Sequence, residues 1–288
     1  TMREMGFSKV GIISVRTNFG VAWIKELTEL APENGIDVVN IGAYDSSQED
    51  FNELMDELKD KNLDAVINVA VGPIQSLMTK AYKAAGFQMP LFQSHGFTDI
   101  YYVYAAGEAS EGVLCPSLIM AAAEGLPDTN DQRKIILEFK AAYQNRYKEE
   151  ANFFKAHAHD ALMILLQAIQ KAGLDRERVR DIIETTEGFV GVGGIYGFSA
   201  VDHNGLAKDI FHSVVVHNGE FVLLSSLKES DEKPEERAFE YLPVLAVLDF
   251  KIENLSDSDG TLIVDYLSNA IFQCGKFYVL ARNQRETS

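Results

Sequence analysis

A chain of 288 residues, 47% hydrophobic and 24% charged, has the apolar content for a sizeable core and for roughly one to three domains. Acids outnumber bases 43 to 26, a formal net charge of -17 with no basic patch, so the surface repels phosphate backbones and argues against nucleic-acid binding. No apolar run approaches the ~18 residues of a membrane-crossing helix, and the two cysteines, Cys115 and Cys274, lack the spacing of a metal site or a disulfide framework.

Between residues 7 and 94 the chain repeats one cadence: a short apolar run, a polar loop, then an amphipathic stretch. Strands are predicted at 10–15, 38–41, 65–70 and 91–93. A first helix is predicted over about 21–30, with Ile24, Leu27 and Ala31 on one face. A second follows Ser46 and Ser47, where Ser47 and Asp50 approximate a capping box and Phe51, Leu54, Met55 and Leu58 form a buried stripe. A third turns Ile74, Leu77, Met78 and Ala81 inward and stops at Gly86. Strands alternating with helices at this length imply a parallel sheet covered by helices, an α/β fold. Parallel sheets carry ligand chemistry in the loops at the carboxyl ends of their strands. Here those loops are 16–20, 43–47, 71–73 and 94–97.

From about residue 131 the texture becomes helical. Ile136, Phe139, Tyr143 and Tyr147 define one helix; the apolar run 161–166 lies in the next, which ends near Gly173; 176–185 forms a third. The middle helix is apolar on nearly every side, so it requires burial on several faces, and the residues after it are too few to provide that. Its partner is expected upstream of Thr1. The opening Thr1-Met2-Arg3-Glu4, almost at once in a core strand, agrees with a start inside a longer protein. Strands return at 195–198 and 210–216, and Asn218-Gly219 signals a two-residue hairpin into 220–224. A charged, apolar-poor linker is expected at 225–242. A small βαβ unit follows, with strands at 244–249 and 276–280 around a helix at 260–272.

Several motifs fail on context. The glycines of 188–194 follow a helix and precede strands, the reverse of a dinucleotide fingerprint, so they are assigned to turns. The loop 16–20 has no phosphate-binding lysine. Asn68 stands where a phospho-receiver would need an acid, and no G-x-S-x-G elbow exists. His157 and His159 lie two apart on a helix, not the four that a zinc pair needs. No nucleophile, base and orienter can be assembled from the four strand-end loops, so neither enzymatic activity nor a cofactor or metal is expected. His95, just after the fourth strand, could donate to an anionic ligand or remain a loop residue in water. Phe19 is either a lid over the sheet or a ligand platform.

The order of FSKVGII (7–13), Phe19-Gly20, LDAV (63–66), AYKAAG (81–86), EGV (111–113), FKAAY (139–143), HDA (159–161), FVGVGGIYGF (189–198), DHNG (202–205) and NGEF (218–221) resembles type I periplasmic solute-binding proteins of the branched-chain amino-acid (leucine-binding) group, over about residues 5–224. The resemblance implies two α/β lobes joined by a hinge, with ligand trapped between. Residues 1–113 plus 188–224 would form lobe two, and 114–187 would be helices of an incomplete lobe one. In that group, lobe two offers an aromatic at the first loop, a Tyr after the third strand, and a Glu after the fourth for the ligand ammonium. The matching positions here are Phe19, Val71 and His95. Without the Glu, a standard aliphatic amino acid loses its counter-charge; an amide, an aromatic acid or a signalling metabolite is open. The segments LAVLDF (245–250), SDG (258–260), YLSNA (266–270) and GKFYVLARNQ (275–284) resemble the opening of a curli-assembly lipoprotein domain, at 243–288.

The sequence thus predicts a non-enzymatic module of the bacterial envelope that binds a small polar solute through Thr17, Asn18, Phe19, Val71, Gly72, Ser94 and His95. Its expected location is periplasmic, with a lipid anchor on an upstream segment. The expected partner is a membrane permease. The alternative is an envelope assembly protein that uses the lobe as an adaptor and no longer binds solute.

Overall fold

Near-continuous apolar runs, rather than alternation, bury the strands at 9–15 and 65–69 on both faces. The computed structural model describes residues 1–207 and 210–227, and the backbone of strands Val244–Leu245 and Tyr278–Val279. The chain runs β1 (Lys9–Val15), α1 (Asn18–Leu30), β2 (Asp37–Tyr44), α2 (Asn52–Lys59), β3 (Ala65–Val69), α3 (Ile74–Ala84), β4 (Leu91–Gln93), α4 (Ile100–Ala106) and β5 (Leu114–Leu118). Helices α5 (Arg133–Tyr147), α6 (Phe153–Ala172) and α7 (Arg176–Glu184) follow, then the hairpin β6 (Phe189–Val190) and β7 (Ile195–Tyr196). Strands β8 (Phe211–His217) and β9 (Glu220–Leu223) lead into the short helix α8 (Leu224–Leu227). A seven-stranded sheet has the order β2-β1-β3-β4-β5-β8-β9. Strands β1 to β5 pair in parallel, and β8 and β9 are antiparallel additions. Val10, Ile12, Ala65 and Ile67 face α1 through Trp23, Ile24 and Leu27. Ile13, Val15 and Val66 face the opposite layer of α2, α3 and α4.

The parallel sheet flanked by helices is as expected, and so are the Asn218-Gly219 turn, with both residues at positive φ, and the arrest of α3 before Gly86. Other local details differ. Helix α1 begins at Asn18, earlier than the hydrophobic stripe suggests, because the Thr17 side chain accepts from the Gly20 amide and caps it. Helix α2 begins at Asn52 without a Ser47 cap; the Asp50 carboxylate accepts from the Asn52 amide instead. The expected boundary at 113 cuts the sheet, since β5 pairs with β4 through Leu114 and with β8 along its whole length. Pro116 disguises this strand, yet beyond Leu114 only β8 is a ladder partner, so the missing N–H is tolerated as at an edge. Helix α4 escapes pattern reading because Tyr101, Tyr102, Val103, Ala105 and Ala106 are all buried. Residues 225–227, expected in the linker, belong instead to α8, whose Leu224 and Leu227 pack against the α1 side of the sheet. Strands β10 (Val244–Leu245) and β11 (Tyr278–Val279) pair in parallel. The rest of the charged stretch, the helix at 260–272 and most of the envelope-lipoprotein resemblance lie outside the described residues.

Helix α6 is held from one side by a buried carboxylate. Asp160, 1% exposed, accepts from the amides of Val192 (2.9 Å) and Gly193 (2.6 Å) and from the Tyr196 hydroxyl (3.0 Å). The Tyr196 proton being so committed, His157 Nδ1, 3.0 Å away, is the donor to that hydroxyl. This explains the glycines better than turns alone: a Cβ on Gly191 would strike the Asp160 carboxylate and one on Gly193 the His157 ring. On its other side α6 exposes Leu162, Leu165 and Leu166 at 53%, 41% and 42%.

Two substitutions test these contacts. A Cβ at position 20 would overlap the Val15 carbonyl oxygen, so Gly20→Ala should lower stability by about 1–3 kcal/mol, read from the urea midpoint, despite the better helix propensity of Ala. Asp160→Asn, which leaves one amide donor facing an NH2 group, should cost about 2 kcal/mol and speed hydrogen exchange at Val192 and Gly193.

Candidate functional site

The strand order creates the site. From β1 the chain moves to β2 on one side, and β3 lies on the other, so the loops leaving β1 and β3 diverge and open a crevice at their carboxyl ends. Gly20 lets α1 spring directly from β1, which brings Phe19 over this crevice as the second residue of the helix. Thr17 and Asn18 are exposed at the same rim, and Val71 is 43% exposed at the end of β3. Gly72 has φ +99°, a conformation that strains any residue with a side chain. Arg16 and Asp45 pair at 3.1 Å in water beside the rim, a contact of little energetic weight.

His95 stands at the centre of an aromatic cluster. Its ring centroid lies 5.7 Å from Phe19, 6.1 Å from Trp23 in a stacked arrangement, 5.9 Å from Phe153 and 6.1 Å from Phe211. Burial among these rings pushes the imidazole below its usual pKa and keeps it neutral at pH 7. Among the described residues, no hydrogen bond or ion pair engages its ring nitrogens. Trp23, Phe153 and Phe211 are not among the residues expected at the site from sequence. Trp23 is within reach of local pattern, one helical turn after Phe19; Phe153 and Phe211 come from distant segments with no local signal.

Ser94 plays a different part from the one expected. It is fully buried, its hydroxyl donates to the Ala70 carbonyl at 2.6 Å and accepts from the Ala70 amide at 3.3 Å, so it is not presented to the crevice. It clips the turn carrying Val71 to the turn carrying His95. Beneath the clip runs a buried polar layer. Tyr44 donates to Asn68 (2.8 Å), Asn68 to Gln93 (2.8 Å), Gln75 to the same Gln93 oxygen (3.0 Å), and Gln93 to Thr79 (2.8 Å). These amides join the ends of β2, β3 and β4 to the first turns of α3. Among the described residues, the Gln75 side-chain oxygen is the one atom of this layer left buried without a partner; the remaining bonds hold their members in one arrangement. A separate cavity of about 490 Å³, between α4, β5 and β9, shares Phe153 with the cluster.

The sequence profile of the family described as periplasmic binding protein matches residues 1–217. The chain belongs to that family. A curated relative, the leucine-, isoleucine-, valine-, threonine- and alanine-binding protein of Pseudomonas aeruginosa, is 25% identical over 175 residues, 60% of this chain and 44% of the relative. Among solved structures, an extracellular ligand-binding receptor from Rhodopseudomonas palustris HaA2 superposes with a TM-score of 0.71 at 24% identity, covering 77% of this chain and 64% of that one. A leucine-binding protein from Thermotoga maritima gives 0.65 at 23%, covering 77% and 61%. The chain therefore spans less than half the length of the curated relative and under two thirds of these structures. Both structures share the periplasmic binding protein fold with this chain. None of the described helices is long and apolar enough to cross a membrane.

His95 and His157 both have pKa values lowered from 6.5, chiefly by burial, with Asp160 opposing the shift at His157. Unfolding lets them bind protons just below pH 6.5, so their contribution to stability is full above that pH and is lost as pH falls toward the lowered folded values. The melting temperature should accordingly drop between about pH 7.5 and 5.5, and His95→Gln should shrink that drop relative to the parent. An unchanged drop would mean that His95 titrates as in water.

Proposed function

We propose that this chain is the solute-binding part of an ABC-type uptake system or envelope receptor, and that the carboxyl-end crevice of the sheet is the face that receives the solute. The observation that carries the reading is the half-buried His95, whose ring nitrogens have no partner among the described residues, set among rings at the switch point of a periplasmic binding protein sheet. Phe19, Val71 and His95 face the solute, Thr17, Asn18 and Gly72 shape the rim, and Ser94 positions. Residues 1–118 with 211–223 form one lobe, built on the seven-stranded sheet. Helices α5 to α7 belong to a second lobe whose sheet covers the exposed Leu162, Leu165 and Leu166. The relatives' greater length supports this division. Closure of the two lobes on a solute, periplasmic location with a lipid anchor, and delivery to a membrane permease complete the proposal.

An adaptor that has lost solute binding draws support from the apolar character of the crevice. The two readings separate by ligand-dependent stabilisation. Across a panel of amino acids, amides and organic acids, at least one solute should raise the melting temperature in proportion to RT ln(1 + [L]/Kd), and Phe19→Ala should abolish the rise while leaving the circular dichroism spectrum unchanged. No rise with any solute at millimolar concentration would favour the adaptor.

A further inference from the structure

The geometry points to a particular solute class: a small planar aromatic ring carrying one hydrogen-bonding substituent, such as a carboxylate or an amide, and no ammonium group. This deepens the solute-binding reading above and rests on it. Four aromatic side chains converge on one imidazole, with centroid separations of 5.7 to 6.1 Å. Phe19, Trp23 and Phe153 are each half-buried and Phe211 is 50% exposed, so their rings are not used up by the core and offer π surface at the crevice. Flat π surface favours a flat partner by edge-to-face or offset contact over an aliphatic chain of equal area.

The imidazole narrows the choice. Half-buried and neutral, it can donate one hydrogen bond and accept one, and among the described residues nothing takes either role. A solute with a single polar group beside its ring satisfies His95; an all-carbon solute leaves it unpaired when water is excluded, which is costly. A quaternary ammonium would enjoy the rings but cannot hydrogen-bond to His95. A zwitterionic aliphatic amino acid fails differently. None of the five residues in the cluster carries a carboxylate, and no ion pair among the described residues brings one to His95, so the ammonium would be desolvated without a counter-charge, whereas a carboxylate favours the protonated form of His95 and so acquires one.

Trp23 is the sole tryptophan of the chain, so its emission reports directly on the cluster. The whole 288-residue chain would be titrated with benzoate, benzamide, cyclohexanecarboxylate, isoleucine and choline. Benzoate or benzamide should change the Trp23 emission saturably, with an affinity about tenfold above the other three. His95→Phe, which keeps the rings and deletes the hydrogen bond, should weaken benzoate about tenfold, and His95→Gln, which keeps a donor, should recover part of it. Tightest binding of isoleucine, choline or the cyclohexane acid would overturn the aromatic class and leave the solute-binding reading standing. Absence of a saturable response to all five would overturn both.

Discussion

Everything at the crevice follows from a reversal in the winding of one parallel sheet. Because β2 and β3 flank β1 on opposite sides, the chain must leave β1 in one direction and reach β3 from the other. Gly20 makes the reversal tight. With no side chain there, α1 starts against the Val15 carbonyl, and its first turn hangs Phe19 over the opening. A longer connection would have carried Phe19 and Trp23 away from β4 and His95.

The interior beneath the crevice is polar where a parallel sheet is ordinarily aliphatic. Asn68, Gln93, Gln75, Thr79 and Tyr44 exchange hydrogen bonds in a space from which water is excluded, and burial raises the Tyr44 phenol well above its usual pKa. Each of these groups would be expensive to bury alone. Together they fix where β3 and β4 end relative to α3. The Ser94 clip then transmits that order to the two turns that carry Val71 and His95. The rings above are thus presented by a rigid floor, which lowers the entropy lost when a solute is held.

Asp160 serves the other half of the chain in the same manner. Its carboxylate gathers the amides of Val192 and Gly193 and the Tyr196 hydroxyl, fastening α6 to the β6–β7 hairpin. That contact leaves the Leu162 and Leu165 side of α6 outward, consistent with the proposed second lobe.

Sequence alone determined the layers: the continuous apolar runs of β1 and β3, the stripes of α2 and α3 and the positive-φ hairpin at Asn218-Gly219 are all local signals. It also placed Phe19, Val71 and His95 at strand ends, because parallel pairing puts such loops on one edge. Tertiary structure alone decided the rest. Pro116 hid β5 because its tolerance depends on which neighbours pair beyond Leu114, and α4 showed no stripe because burial surrounds it. The place of Ser94 just after β4 suits a contact residue, but its hydroxyl closes on Ala70 instead. Phe153 and Phe211 reach His95 from segments about 60 and 115 positions away, and no local pattern encodes contacts closed over such distances.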